Sequence, residues 1–365
     1  MSTTINIIVF GIGNVGSTLI NQIIEKQAFF KEKFQVDLRI PIISNSKKAL
    51  FTNKPLLLNW LDEFQALSQS YIVEDIFNYV YQYQLENIIA IDVTANDEIV
   101  KNYISFIQNN FDIVAANKKA NTLHLDFYKE LRRVLEQNDK QFLYETNVGA
   151  GLPVINTIQD LNHAGEKITK IRGVFSGTIS YIFNRFGNEN TTFSKIFVDA
   201  EKLGLTEPDS REDLSGSDVA RKLLILSREL DLKNEFKDVK ITSLTTEKID
   251  ALSKRNYSIS KELFDKEYEI AKITQPANSV LRYIGELDAV NNKLEVKLVS
   301  VSENSALGQL KGADNLIEIF TESYGDIPIV IQGAGAGKKV TARGVLSDII
   351  KIAKHIKSKK QRLVI

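Results

Sequence analysis

Cysteine is absent from the 365 residues, which excludes disulfides, thiolate nucleophiles and cysteine-based metal centres. Histidine is scarce. His124, His163 and His355 are the three present, and they lie too far apart to show ligand spacing. Net charge is missing as well, with Lys+Arg and Asp+Glu at 46 each. That balance removes any global pull towards nucleic acid or a membrane surface. No apolar run approaches a membrane span, and the opening Met1-Ser2-Thr3-Thr4 lacks a basic segment followed by a cleavable apolar one. A cytoplasmic protein is the default expectation. Internal repeats and low-complexity segments are also lacking. What remains is 43% apolar and 25% charged, as in ordinary soluble proteins, and the length suits two domains.

Residues 5–10 form a continuous apolar run, the pattern of a strand buried on both faces. Gly11-Ile12-Gly13-Asn14-Val15-Gly16 follows at once. Residues 17–25 then read as helix, with Leu19, Ile20, Ile23 and Ile24 inward. A lone G-x-G-x-x-G is a weak signal. Between a strand and a helix it is a strong one, because the glycines let backbone N–H groups approach a pyrophosphate at the helix start. The competing reading is a purely structural glycine turn.

Residues 36–43 predict the second strand. Asp37 is the acid at about the right distance for a ribose, but it falls near the strand's start. The strand's end reads Ser44-Asn45-Ser46-Lys47-Lys48, small and basic, as a 2′-phosphate needs. NADP is therefore favoured over NAD, with a plain turn as the alternative. Residues 50–87 look like helices and loops. Strands at 88–93 and 111–115, with a helix at 101–110 between them, carry the alternation to about residue 135. That is a doubly wound parallel sheet of α/β class. Strand carboxyl ends line the ligand crevice of such a sheet. Thr94 and Lys118 stand at two of them, although Lys118 reads equally well as a surface lysine.

Gly149, Gly151 and Pro153 bend the chain into a second domain. There, residues 154–161 are helical and 167–175 form a strand. Ser176-Gly177-Thr178 opens another helix, and 193–203 a further one. The most informative stretch is 204–222. Glu207, Asp209, Glu212, Asp213 and Asp218 place five carboxylates within twelve residues. Pro208 and Gly216 break helix on either side of the loop. Ser215 or Ser217 can cap the helix that follows, and Asp218 suits its positive end. Asp218 and Lys222 share one face of it. Acids presented beside one aliphatic amine make a plausible site for an amino-acid-like substrate. Lys222 is the natural proton carrier there, since burial can lower a lysine pKa. The bland alternative is a solvated acidic loop with an i,i+4 ion pair. Residues 231–275 read as an exposed helical excursion, 280–287 with 294–301 as a hairpin, and 327–332 as a strand. Gly333-Ala334-Gly335-Ala336-Gly337 then opens a last helix at 340–356.

Several stretches together resemble the homoserine dehydrogenase family. They are 11–16, Ala116-Asn117-Lys118-Lys119-Ala120-Asn121, 145–153, 175–183, the whole of 200–222, and 333–337 with Val340-Thr341-Ala342. The resemblance covers the chain from first strand to last helix. It is especially close to the dehydrogenase half of bifunctional aspartokinase–homoserine dehydrogenases. It implies a Rossmann-type dinucleotide-binding domain at 1–145, an α+β catalytic and dimerisation domain at 146–330, and a segment at 331–365 returning to the first. No kinase half and no ACT regulatory domain are expected, hence at most weak, competitive inhibition by threonine. The implied reaction interconverts L-homoserine and L-aspartate 4-semialdehyde with NAD(P), on the route to threonine and methionine.

By the same resemblance, Lys222 transfers the proton with Asp218 as its partner. Glu207, beside Asp213, takes the substrate amine, and Gly177 and Thr178 line the pocket. Lys118 stands near nicotinamide and substrate. Ile12, Gly13, Asn14, Val15, Thr94 and Gly337 contact the cofactor. Glu145, with the carbonyls of Val148, Ala150 and Leu152, holds a monovalent cation such as sodium. A homodimer or larger homo-oligomer is implied. Leu205 stands where relatives often carry an aromatic residue, and Ser210 where proline is frequent. Both bear on the shape of the substrate loop rather than on its chemistry. The rival readings are a different oxidoreductase acting on another amino-acid aldehyde, and a regulatory or scaffold protein. The second predicts loss of Lys222, Asp218 or Lys118, all of which are present.

Overall fold

The computed structural model describes residues 2–207, 209–245 and 261–362. Pro208 and the middle of the expected 231–275 excursion lie outside them. The chain divides into two compact units, one comprising Met1–Gly151 with Gly337–Ile365 and the other Leu152–Ala336.

The first unit opens with β1 (Thr3–Phe10), α1 (Asn14–Phe34), β2 (Val36–Ser44) and β3 (Lys48–Phe51). It continues through α2 (Trp60–Leu67), β4 (Gln69–Ser70), α3 (Val73–Gln82), β5 (Ile88–Asp92) and α4 (Tyr103–Gln108). Then come β6 (Phe111–Ala115), α5 (Lys119–Thr122), α6 (Leu125–Gln137) and β7 (Phe142–Leu143). The sheet order is β4-β3-β2-β1-β5-β6-β7. Strands β2, β1, β5, β6 and β7 run parallel, whereas β3 and β4 are antiparallel additions. The helices-and-loops expectation for 50–87 is thus corrected at β3 and β4, which are too short to show a period. Strand order reverses between β2 and β5, on either side of β1, so the ligand crevice of such a sheet lies beyond the carboxyl ends of β1 and β5.

The apolar run of β1 is buried on both faces, as its continuous pattern requires. Ile5, Ile7 and Val9 pack in one cluster with Leu19, Ile20 and Ile23 of α1 and with Val345, Leu346 and Ile349 of the last helix. Truncating Ile349 to alanine would cost about 2–5 kcal/mol on the usual scale for such cores.

The second unit holds α7 (Val154–His163), β8 (Ile168–Val174), α8 (Gly177–Asn188), α9 (Phe193–Lys202), α10 (Arg211–Leu214) and α11 (Ser217–Glu229). After these come β9 (Val239–Ile241), α12 (Asp265–Thr274), β10 (Ser279–Asp288), β11 (Lys293–Ser302), β12 (Asp314–Thr321) and β13 (Ile329–Ala334). Their sheet runs β13-β12-β8-β10-β11-β9, antiparallel except for the β9–β11 pair. The expected β10–β11 hairpin forms with Val280 opposite Val301. Strands β9 and β12 went unanticipated.

The excursion reading fails at β9 and holds in part at α12, which is helical and mostly exposed. Strand β9 joins the sheet, and Phe264 and Tyr268 are buried against Phe193, the Tyr268 ring stacked on it at 4.0 Å. Two aromatics four residues apart supply an inner face that the surrounding charges mask in the sequence.

Helix α11 lies hard on β10. A Cβ added at Gly285 would come within 3.0 Å of Val219 and 3.1 Å of Leu223. That contact fixes the height of Lys222 above the sheet. The chain returns to the first unit at α13 (Lys338–Arg362).

Candidate functional site

In the first unit the glycine loop is shaped by close approach. Gly11 has φ +100°, and a Cβ there would meet Val93 O at 3.1 Å and Thr94 Cγ2 at 3.2 Å. At Gly16 it would lie 1.9 Å from Gly11 O, whereas at Gly13 it would meet nothing within 4 Å. The loop is therefore tight where it packs and open at its tip. Helix α1 starts at Asn14 rather than Ser17. Gly13 is its N-cap, with no side-chain cap and no acid in the first turn. Its first N–H groups and dipole are thus left for an anion.

The neighbouring strand ends are joined by a buried carboxylate. Asp92 accepts from Thr94 N–H at 2.9 Å, Thr94 Oγ1 at 2.7 Å, Tyr103 Oη at 2.8 Å and Asn117 Nδ2 at 3.0 Å. Burial raises its pKa, and the Thr94, Tyr103 and Asn117 hydrogen bonds pull it back. Asn117 also donates to Asn96 O at 2.6 Å and accepts from Lys119 N–H at 3.0 Å. This network fixes Thr94 against the glycine loop and sets the backbone on which half-buried Lys118 stands. The sequence reading assigned Thr94 but missed Asp92 and Asn117. A carboxylate closing a fully apolar strand was the available signal.

At the end of β2, Asn45 Oδ1 accepts from the N–H groups of Lys47 and Lys48, each at 2.8 Å. The turn leaves Ser46, Lys47 and Lys48 exposed. Asp37 sits at the opposite end of the strand, buried, with Arg39 Nε at 3.0 Å. It is not at the carboxyl end, so the two candidate ribose contacts are separated by the length of β2.

Glu145 is buried, and its N–H donates to Asp348 Oδ2 at 3.0 Å. Gly149 and Ala150 follow with φ of 79° and 54°, and Val148 and Ala150 are buried. Leu152, the fourth expected donor, belongs to the second unit. A carboxylate and main-chain carbonyls are oxygen donors, the type that hard cations prefer. Among the described residues, no group of three or more His, Cys, Asp or Glu could hold a metal ion. Gly337 has φ +116° and immediately precedes α13, whose Thr341 N–H donates back to its carbonyl at 3.0 Å.

In the second unit the expected substrate residues converge. Lys222 is 8% exposed. Its Nζ donates to Phe175 O at 2.6 Å and pairs with Asp218 Oδ2 at 2.8 Å. The N–H of Glu207 donates to Asp213 Oδ2 at 2.8 Å. Thr178 Oγ1 donates to Leu205 O. Gly177 opens α8 close under Ala313, whose carbonyl would be 3.0 Å from an added Cβ. Asp213 is pushed up to about 6 by burial, with the charges of Glu207 and Asp218 adding to the rise. The hydrogen bond from Glu207 N–H, with the Thr178 hydroxyl close by, opposes it.

Two details of the acidic stretch differ from expectation. Asp209 is engaged by Arg211 at 2.6 Å, so it is not offered to a ligand. The N-cap of α11 is Gly216, at φ 75° with no side-chain cap, rather than Ser215 or Ser217. A Cβ at Gly216 would come 2.2 Å from Tyr283 Oη, so neither serine could take its place. Ser215 Oγ instead accepts from Ser217 N–H at 3.2 Å. Nor does anything in the sequence hint that the Phe175 carbonyl receives Lys222.

The first unit, with its reversed strand order and glycine loop, defines a dinucleotide-binding protein of Rossmann type. The chain belongs to the homoserine dehydrogenase family. The model of that family matches residues 153–350, and the model of its NAD binding domain matches 11–145. The bifunctional aspartokinase/homoserine dehydrogenase of Buchnera aphidicola is 39% identical over 95% of this chain, which spans 43% of that relative's length. The homoserine dehydrogenase of Emericella nidulans is 32% identical, covering 98% of this chain and 100% of its own. A crystal structure of a Candida auris protein of unknown function shares the fold with a TM-score of 0.88 and 32% identity, over 97% of this chain and 99% of that one. Among the described residues no helix is long and apolar enough to cross a membrane.

Proposed function

We propose that this protein interconverts L-homoserine and L-aspartate 4-semialdehyde with NAD(P), on the route to threonine and methionine. The observation that carries the reading is the buried Lys222 ammonium, held by Phe175 O at 2.6 Å and Asp218 at 2.8 Å, in the unit that also holds Asp213 and Glu207.

Oxidising an alcohol removes a hydride from carbon and a proton from oxygen. The nicotinamide cofactor, when bound, takes or returns the hydride. Lys222 takes the hydroxyl proton, and in the reverse direction its ammonium returns that proton and stabilises the developing alkoxide. Phe175 O and Asp218 can only accept hydrogen bonds. Neutral Lys222 therefore turns N–H groups towards them and its lone pair elsewhere, to the substrate hydroxyl. Glu207 and Asp213 bind the substrate amine and orient the reacting end, with Gly177 and Thr178 beside them. Lys118 acts near the nicotinamide.

The pyrophosphate is held by residues 11–16 and the start of α1, with Thr94 and Gly337 as further contacts. The exposed basic turn at Ser46–Lys48 supports NADP as the preferred cofactor. The oxygen donors within the first unit, the Glu145 carboxylate and the carbonyls of Val148 and Ala150, support a monovalent cation such as sodium. A homodimer or larger homo-oligomer is also part of the proposal. It is supported by the edge strand β13, which leaves Val330 43% and the preceding Ile327 76% exposed.

Purified protein given homoserine and NADP should develop the NADPH absorbance band. No band with either NADP or NAD, from a folded sample, would reject the activity.

A further inference from the structure

Asn315 is the second residue of β12 and is fully buried. Its Nδ2 donates to Phe175 O at 3.0 Å, the same oxygen that accepts Lys222 Nζ at 2.6 Å. One carbonyl oxygen has two lone pairs, and both are used. Asn315 Oδ1 is buried with no hydrogen-bond partner. An apolar side chain of the same size would avoid that desolvation cost, so packing alone does not explain an asparagine here. Gly335 lies flat against the amide: a Cβ there would come within 2.0 Å of Asn315 Cγ and Nδ2. Gly335 does not adopt a left-handed φ, so what keeps it glycine is the room that Asn315 needs. Phe175 itself links β8 to the start of α8 and belongs to neither, so no strand or helix ladder steadies its carbonyl.

We infer that Asn315 is a positioning residue for Lys222. It pins the Phe175 carbonyl, and the pinned carbonyl fixes where Nζ stands and which way the lone pair of the neutral amine points. The inference rests on the reading of Lys222 as the proton carrier. It also accounts for one glycine of the 333–337 run through the second unit's own packing rather than through a bound anion. A lysine on a four-carbon stem has several staggered positions, and two fixed acceptors, one pinned and one four residues back on the same helix, select among them. Without Asn315, the carbonyl can rotate and carry the ammonium with it.

The test compares purified Asn315→Leu, Asn315→Asp, Gly335→Ala and Lys222→Ala with the unsubstituted protein. It reads kcat, KM for homoserine, NADP affinity, thermal midpoint and the pH profile of kcat. Asn315→Leu removes the donor. Gly335→Ala displaces it without touching Asn315, and so serves if the leucine variant does not fold. Both should lower kcat about 10-fold or more, the scale of a misplaced catalytic group, and leave KM and NADP affinity nearly unchanged. Asn315→Asp puts a carboxyl group in a fully buried place, where desolvation holds it protonated, so its O–H can still donate to the Phe175 carbonyl. Its kcat should therefore stay within a few-fold of the unsubstituted value at neutral pH and fall away at higher pH, as the carboxyl ionises and loses its donor.

A kcat close to the unsubstituted value in both Asn315→Leu and Gly335→Ala, beside an inactive Lys222→Ala, would overturn the inference and leave the reading of Lys222 standing. So would losses in kcat, KM and thermal midpoint that move together, with an Asn315→Asp pH profile parallel to that of the unsubstituted protein, because those mark a merely structural asparagine. A fully active Lys222→Ala would remove the proton-carrier reading, and the inference with it.

Discussion

The main-chain N–H of Glu207 donates to the Asp213 carboxylate at 2.8 Å, so the two acids of the substrate loop are coupled through backbone as well as through charge. Burial nevertheless dominates, and Asp213 is pushed up to about 6. Its folded pKa thus lies above the ordinary value of 3.8. Below that value the group is protonated in both folded and unfolded chains and costs nothing. As pH rises through about 6 the folded protein must carry a partly desolvated charge, and stability is lost. Asp213→Asn should therefore raise the thermal midpoint at pH 8 and have no effect once pH falls below about 4. The same charge serves the substrate amine, so KM for homoserine should rise as pH falls through about 6. In the Asp213→Asn variant KM should be high throughout and that limb lost. Persistence of the limb would assign it to another group.

The turn after β2 makes a prediction about cofactor choice. Lys47 and Lys48 are exposed there, and Asp37 is at the far end of the strand. NADP should be used at least as well as NAD when specificity constants are compared. Lys47→Ala should weaken NADP by roughly 10-fold, the scale of a charge-assisted hydrogen bond, and NAD hardly at all. Equal losses for both cofactors would mean that Lys47 does not meet a 2′-phosphate.

Assembly can be read by light scattering. The sheet of the second unit ends in β13, beside exposed Tyr324, Ile327 and Val330. A dimer or larger species is expected at micromolar protein. A sharp monomer mass of 41.1 kDa would contradict it.

Most of the frame was legible in the chain because its signals are local. The apolar run of β1, the glycines after it and the helix beyond form one continuous stretch, and the strand expected at 111–115 has the same bounds in the structure. The lysine–carboxylate pair was legible for the same reason, since Asp218 and Lys222 are one helical turn apart. Long-range contacts were not legible. Nothing near Asn315 announces that it meets Phe175, 140 residues earlier, and Asp92 gains its meaning only when Tyr103 and Asn117 fold onto it. Strands β3 and β4 were missed because four and two residues are too few to show a period. Gly216 does break helix, standing between α10 and α11, but the sequence does not show why only glycine fits there: its φ is +75° and Tyr283 Oη lies 2.2 Å from where a Cβ would be.

The central claim is that Lys222 moves the proton, and one paired measurement on Lys222→Ala tests it most directly. Turnover of homoserine with NADP should fall by roughly 100-fold or more, the usual scale for losing a general acid–base. NADP titration of the same sample should give unchanged affinity, since the glycine loop belongs to the other unit. Turnover within a few-fold of the unsubstituted protein, with NADP still bound, would contradict the account.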